Sequence, residues 1–133
     1  SYVEIHGGPA PTFDDTVTLA AGGHLQWTET WYPVAGLGGS LRYANGTAAL
    51  DLSAANGQIQ AVVAVTRPWA GEIAVWLDGE ERWRQEVSLR PGQPFQATAA
   101  LDEHDPASGR VTVRLEAPAG GVVAEYSADL CLK

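Results

Sequence analysis

The sequence predicts an all-β chain, an immunoglobulin-like antiparallel β-sandwich of about seven to nine strands with at most a single helical turn. Three observations predict it. Apolar residues recur at period two, and no stretch of about ten residues or more carries a helical period. Turn formers punctuate the chain at regular intervals: Gly7-Gly8-Pro9, Ala21-Gly22-Gly23, Pro33 to Gly39, Asn45-Gly46, Asn56-Gly57, Asp78-Gly79, Pro91-Gly92, Ser108-Gly109 and Gly120-Gly121. The runs between them are rich in Val, Ile, Thr, Leu and aromatics, which suit a pleated, half-buried surface.

Taken in order, Trp27-Thr28-Glu29-Thr30-Trp31-Tyr32 alternates like a strand and runs into Pro33 and the glycines Gly36, Gly38 and Gly39. Proline removes a donor and glycine frees the backbone, so no regular element continues there. This reads as an edge that delivers aromatics and a carboxylate to a flexible turn. Trp27, Glu29, Trp31, Tyr32, Gly36 and Gly38 are its candidate domain-contact or ligand residues. Trp27 and Trp31 share parity with Leu25, which favours core or interface over an open platform.

Ile59 to Val65 is apolar on both faces, as in a central strand. Around Asp78-Gly79, a two-residue loop would set Ile73, Val75 and Leu77 on one face with Arg82 and Arg84. A three-residue loop, Leu77-Asp78-Gly79, instead pairs Ile73 with Trp83 and leaves Trp76, Arg82 and Arg84 on the opposite face, and this arrangement is preferred. In Phe95 to Leu101 the inward set is Phe95, Ala97, Ala99 and Leu101. In Arg110 to Ala117 it is Val111, Val113 and Leu115. In Val122 to Leu132 it is Val122, Ala124, Tyr126, Ala128, Leu130 and Leu132. One echo is visible: Leu19-Ala20-Ala21-Gly22 leads to Trp27 as Leu89-Arg90-Pro91-Gly92 leads to Phe95. A single echo does not make a repeat architecture.

Length bounds the rest. The 133 residues suit one domain over 1–133. The net charge of −8, with Lys plus Arg only 8, opposes nucleic-acid binding, which needs a basic surface. The longest apolar run, Ala61 to Val65, is far shorter than the about 20 residues of a membrane helix, and no basic n-region followed by an apolar h-region is visible, so any targeting signal is expected in the missing part of a longer chain. Cys131 is the one cysteine, so no internal disulfide forms. Methionine is absent even at position 1, which suggests a segment of a longer protein.

Tyr2-Val3-Glu4-Ile5-His6-Gly7-Gly8, Pro11-Thr12-Phe13, the Trp27 to Gly39 stretch, and Tyr43-Ala44-Asn45 through Ala49-Leu50 resemble a bacterial family of uncharacterised proteins. In that family a galactose-mutarotase-like supersandwich is followed by a smaller β-domain and often by tetratricopeptide repeats. The resemblance covers residues 2 to 52. It implies a carbohydrate-related context and an accessory position. It also implies that residues 2 to 8 lie at the seam with the upstream supersandwich, so that residues 1–13 are a candidate tail of that domain. It carries over no catalytic residue.

Chemical constellations are sparse. A glycosidase needs two facing acids; Glu4 and Glu29 are the candidates, and nothing in the sequence makes them face each other. His6, His24 and His104 are too far apart for a ligand set. Asp102-Glu103-His104-Asp105 lacks the spacing of a calcium loop and reads as a solvated turn before Pro106. Cys131 has no base in view. Gly36-Leu37-Gly38-Gly39 lacks the Lys-Ser/Thr and helix of a phosphate loop. The five tryptophans are the stronger signal. Trp83 is expected in the core opposite Ile73. Trp69, after Pro68, and Trp76, on the polar face with Arg82 and Arg84, form a candidate sugar platform, since exposed indoles stack on pyranose rings.

The expectation is therefore a non-catalytic accessory sandwich, without cofactor or metal, packed on a sugar-active domain of its parent chain. Excised from that parent, the chain is expected to show an apolar patch at the Trp27 to Gly39 edge, a candidate surface for a neighbouring copy. Two alternatives stay open: a self-sufficient carbohydrate-binding module using Trp69 or Trp76, and a hydrolase or epimerase fragment using Glu4 and Glu29.

Overall fold

The computed structural model describes residues 7–10, 14–37 and 41–133. The chain divides into two compact units, residues 1–31 and 32–133.

The second unit carries eight strands: β1 (Tyr43–Ala44), β2 (Ala48–Ala55), β3 (Gln58–Val65), β4 (Trp69–Leu77), β5 (Glu80–Leu89), β6 (Phe95–Ala100), β7 (Ser108–Glu116) and β8 (Val122–Cys131). They form two four-stranded antiparallel sheets, β1-β2-β3-β6 and β5-β4-β7-β8. No helix occurs among the described residues. The chain changes sheet after β3, β5 and β6, giving the Greek-key order of an immunoglobulin-like sandwich, with β1 as an added edge.

Alternation sets the core. Leu50 and Leu52 of β2, Ile59, Ala61, Val63 and Val65 of β3, and Ala97 and Ala99 of β6 form one inner face. Ile73, Val75 and Leu77, Val87 and Leu89, and Val111, Val113 and Leu115 form the other. The largest of these are under 2% exposed, so each removes its full apolar surface from water, about 1.5–3 kcal/mol per side chain before entropy. β3 lies between β2 and β6, as its doubly apolar sequence predicts.

The Asp78-Gly79 hairpin reaches the expected faces by a different route. Its loop has two residues, closed by Leu77 opposite Glu80. Asp78 and Gly79 both take positive φ, 50° and 84°, as a twist-matched tight turn requires. The register then shifts: Trp76 opposes Glu81, while Val75 opposes Trp83. Arg82 is the extra residue of a β-bulge, and it restores Trp83 to the inner face. Trp83 consequently pairs with Val75 rather than Ile73, and its half-buried ring packs at 6.4 Å from Phe95.

A second shift, between Leu115 and Glu116, corrects the reading of β8. Ala124 opposes Leu115, but Val122 opposes Glu116, so Val123 is the residue passed over. Val123 packs on the core and Val122 is 53% exposed.

In the first unit the described residues form no strand. Residues 14–31 are all exposed and extended, with one tight turn in which Gly23 N–H donates to Ala20 C=O at 2.9 Å. Gly22 there has φ +77°, the same value as Gly92 in the turn that joins β5 to β6. The two echoed turns share a geometry, but only the second is flanked by paired strands.

Candidate functional site

Three regions hold chemically capable side chains. The first is the outer face of the β1-β2-β3-β6 sheet. Strand alternation puts Ala49, Asp51 and Ser53 of β2, Gln60 and Val62 of β3, and Gln96 and Thr98 of β6 on this side. The register lines them in rows: Asp51, Val62 and Gln96 form one, and Ser53, Gln60 and Thr98 the next. A groove of about 440 Å³ opens over these rows, walled by Gly36, Leu37, Pro94 and Arg42. Leu37 is buried, and the Gly36 backbone lies so close to Pro94 that a Cβ would sit 2.7 Å from its ring Cγ. Tyr32 anchors the wall segment from one end: its hydroxyl donates to Asn45 C=O at 2.7 Å, with Ala48 C=O 3.2 Å away. Burial, and secondarily the Tyr43 hydroxyl, push its pKa above the ordinary phenol value.

Asp51 is 9% exposed although it points away from the core. Its Oδ1 accepts the Leu52 N–H at 2.9 Å and lies 3.8 Å from Arg42 Nε. Among the described residues, the side chains of Ser53, Gln60 and Gln96 have no hydrogen-bond partner.

The second region is the outer face of the β5-β4-β7-β8 sheet, and its charges are spoken for. Arg84 bonds Glu72 at 2.7 Å, Glu81 at 2.6 Å and Glu116 at 2.6 Å. Arg114 bonds Glu125 at 2.7 Å, approaches Glu116 at 3.6 Å, and lies over Trp76 at 5.4 Å from the ring centroid. Arg84, then Arg114, holds the Glu116 carboxyl below the usual carboxylate range, and the carboxylates raise the Arg84 pKa in turn. The Trp76 Nε1 hydrogen is buried without a partner.

The third region is in the first unit. Trp27, Glu29 and Trp31 alternate onto one side of an extended backbone. Trp27 Nε1 donates to one Glu29 oxygen at 3.0 Å and Trp31 Nε1 to the other at 3.2 Å. Gly7 lies against the same carboxyl, since a Cβ there would collide with it. Both oxygens of Glu29 therefore orient indoles.

The residues expected to share one edge are divided. Trp27, Glu29 and Trp31 belong to the first unit; Tyr32 and Gly36 belong to the second. The strand expected over 27–32 does not form, and Trp27 and Trp31 are 53% and 55% exposed rather than core. Glu4, His6 and Gly38 lie outside the described residues.

The expected sugar platform is also dispersed. Trp69 is half-buried, packs on the core, and its ring occupies the space above Gly71. Trp76 lies under Arg114, and Arg84 is saturated by carboxylates. Arg82 turns to the acidic loop, where it forms a two-pronged ion pair with Asp105. That loop is a solvated turn at Asp102, Glu103 and His104, but its last acid, Asp105, is buried. The Asp105 side chain is 4% exposed and also accepts the Asp102 N–H at 2.8 Å. Arg82 first, and the Asp102 backbone second, hold its pKa below the carboxylate range. Its buried acid ties the β6–β7 connection to β5, a role that the run of acidic letters conceals. Among the described residues no three His, Cys, Asp or Glu side chains group as a metal site, and none forms a helix long and apolar enough to cross a membrane.

The groove of the first region was missed by sequence reasoning. Its signal was weak but present: a lone acid, Asp51, in the apolar run Ala48 to Leu52, with Arg42 upstream. No rule of spacing joins these to Gln60 and Gln96.

A family profile described as the second domain of YphG-like proteins matches residues 43–126. That span runs from the first residue of β1 into β8 and covers more than half of the chain. The chain belongs to the YphG-like second-domain family. Members are by description one domain of a larger protein, so this sandwich is a small accessory domain. The YphG-like match and the resemblance noted in the sequence overlap over residues 43–52 alone. No curated protein and no solved structure matches the chain.

Proposed function

We propose that this YphG-like second domain is a non-catalytic accessory sandwich of a larger, carbohydrate-related bacterial protein, and that residues 17–31 are its contact with the preceding, sugar-active domain. One observation carries the reading. Seven large apolar residues among those described are strongly exposed, and five of them, Val17, Leu19, Leu25, Trp27 and Trp31, fall in this stretch. Val17 and Leu19 share one parity before the turn at Ala20–Gly23, and Leu25, Trp27 and Trp31 share one after it, so each extended arm presents its own set on one side. Contiguous apolar surface of this kind marks a contact site. Aromatics are the side chains that interfaces favour. The Glu29 carboxylate satisfies both indole N–H groups, leaving their apolar faces free to be covered.

The absence of chemistry in the proposal follows from Glu29. A carboxylate that already accepts two indole N–H groups is poorly placed to act as a general acid or base. The sugar-related context rests on the resemblance of residues 2 to 52.

Hydrogen exchange tests the contact role. Amides of residues 17–31 are expected to be protected in the full parent protein and to exchange freely in this chain alone. Equal exchange in the two would overturn the proposal. Saturable glycan binding at this segment, abolished by Trp31→Ala with the sandwich intact, would instead make it a binding module. An aryl-glycoside turnover assay checks the non-catalytic reading. Turnover that disappears in Glu29→Gln or Glu4→Gln would defeat it.

A further inference from the structure

We infer that the groove on the outer face of the β1-β2-β3-β6 sheet is a binding site for a small, neutral, polyhydroxylated ring, a single sugar unit or a cyclic polyol. The inference does not rest on the contact role of residues 17–31, and no tryptophan is among the described residues that line the groove.

Size is the first argument. The groove holds about 440 Å³, within the roughly 300–1,000 Å³ of small-molecule sites. Its composition is the second. Val62 forms the floor, with Leu37 and Pro94 as apolar walls. A pyranose or cyclitol ring has C–H faces that suit such a surface. Around the floor stand Asp51, Ser53, Gln60 and Gln96, with Arg42 at the rim.

The third argument is what those polar groups are doing. The side chains of Ser53, Gln60 and Gln96 have no hydrogen-bond partner among the described residues. Each amide offers two donors and an acceptor, and the hydroxyl offers both. Hydroxyl groups on a ring need this mixture, because each donates and accepts at once. Asp51 uses Oδ1 on the Leu52 N–H, and Oδ2 remains to accept from a ligand hydroxyl. A hydrogen bond to an ionised acceptor is about twice as strong as a neutral one.

Charge selects the class. Arg42 and Asp51 lie 3.8 Å apart and offset each other. An anion would meet the Asp51 carboxylate, and a cation would meet the Arg42 guanidinium. A neutral ligand meets no opposing charge. The row register supplies geometry as well: Asp51 and Gln96 flank Val62 across the sheet, with Gln60 on the adjacent row. A ring lying on Val62 has polar groups on three sides.

The test is a titration of the 133-residue chain followed by ¹H–¹⁵N NMR, with glucose, galactose, mannose and myo-inositol as probes. Glutamate and lysine serve as charged counterparts. Saturable shifts are expected at the amides of Ser53, Gln60, Val62 and Gln96 and at the two glutamine side-chain NH₂ groups. Asp51→Asn and Gln96→Ala should each weaken binding about tenfold, the loss of one or two hydrogen bonds, and Trp76→Phe should leave it unchanged. Asp51 is buried, so its variant could disturb the strand; Gln96 is exposed, and its truncation keeps the test decisive. Three results would overturn the inference: no saturable shift with any polyol up to its solubility, saturation by a charged probe instead, or polyol shifts centred on Trp27 and Trp31.

Discussion

The two outer faces of the sandwich are built from the same alternation and end in opposite states. On the β5-β4-β7-β8 sheet every arginine finds acids: Arg84 serves three, Arg114 two, and Arg110 approaches Asp129 at 3.4 Å. Thr112 and Ser127 bond each other at 2.6 Å across β7 and β8. On the β1-β2-β3-β6 sheet, the side chains of Ser53, Gln60 and Gln96 bond nothing among the described residues, and loop residues wall a groove above them. Saturation makes a face stable and unreceptive. Unused hydrogen-bonding capacity over an apolar floor makes one receptive at little structural cost. The tryptophan count drew attention to the other face, where Trp76 sits amid the saturated network.

Four experiments would break or sharpen that contrast. The largest effect is expected at the groove's lip. Gly36→Ala forces a side chain onto a residue at φ +75° and against Pro94. It should cost about 1–2 kcal/mol in urea denaturation and perturb the Val62 and Gln96 resonances; a neutral result would mean that the lip is not held in place.

Arg84→Gln attacks the opposite face and leaves Glu72, Glu81 and Glu116 facing one another. Because these groups are partly exposed, the loss should be about 1 kcal/mol in denaturant titration. Salt should narrow the gap between variant and parent, since it screens both the attraction and the repulsion.

Acid should weaken the saturated face selectively. The folded-state pKa values of Glu116 and Asp105 lie below their unfolded values of 4.5 and 3.8. Their stabilisation is therefore complete above those values and is lost as pH falls through the folded ones. Tm should decline below about pH 4.5. In Arg84→Gln the part due to Glu116 should shrink, as thermal melts across the acid range would show. An unchanged acid profile in that variant would remove Arg84 as the cause.

The smallest effects belong to the receptive face. Ser53→Ala and Gln60→Ala break no internal bond, so stability should stay within about 0.5 kcal/mol of the parent. A larger loss by calorimetry would show that these side chains are structural after all.

How much of this was legible follows from the range of each interaction. Val111, Val113 and Leu115 could be placed inward from spacing alone, because strand side chains alternate whatever they pack against. Asp78-Gly79 announced its hairpin, because few residues adopt two consecutive positive φ angles. Arg82 gave no such notice: a bulge is one extra residue, and its position depends on which register best buries Trp83 against Phe95 of the facing sheet. Residues 25–32 alternate as well as any strand here, yet they pair with none among those described. Pattern reports a capacity for pairing, and the partner decides whether it is used.

By itself, the sequence determined the class of the fold, its turns, and the inward set of most strands, since these follow from local backbone preference and period-two burial. Only the tertiary structure decided that Arg82 serves Asp105, that Arg84 is consumed by three acids, and that Asp51, Gln60 and Gln96 converge on Val62. Asp105, Glu116 and Gln96 come from segments distant in the chain from Arg82, Arg84 and Val62, the residues they meet. Their meeting depends on sheet order and register, and these are settled by the packing of the whole core rather than by any segment's own chemistry.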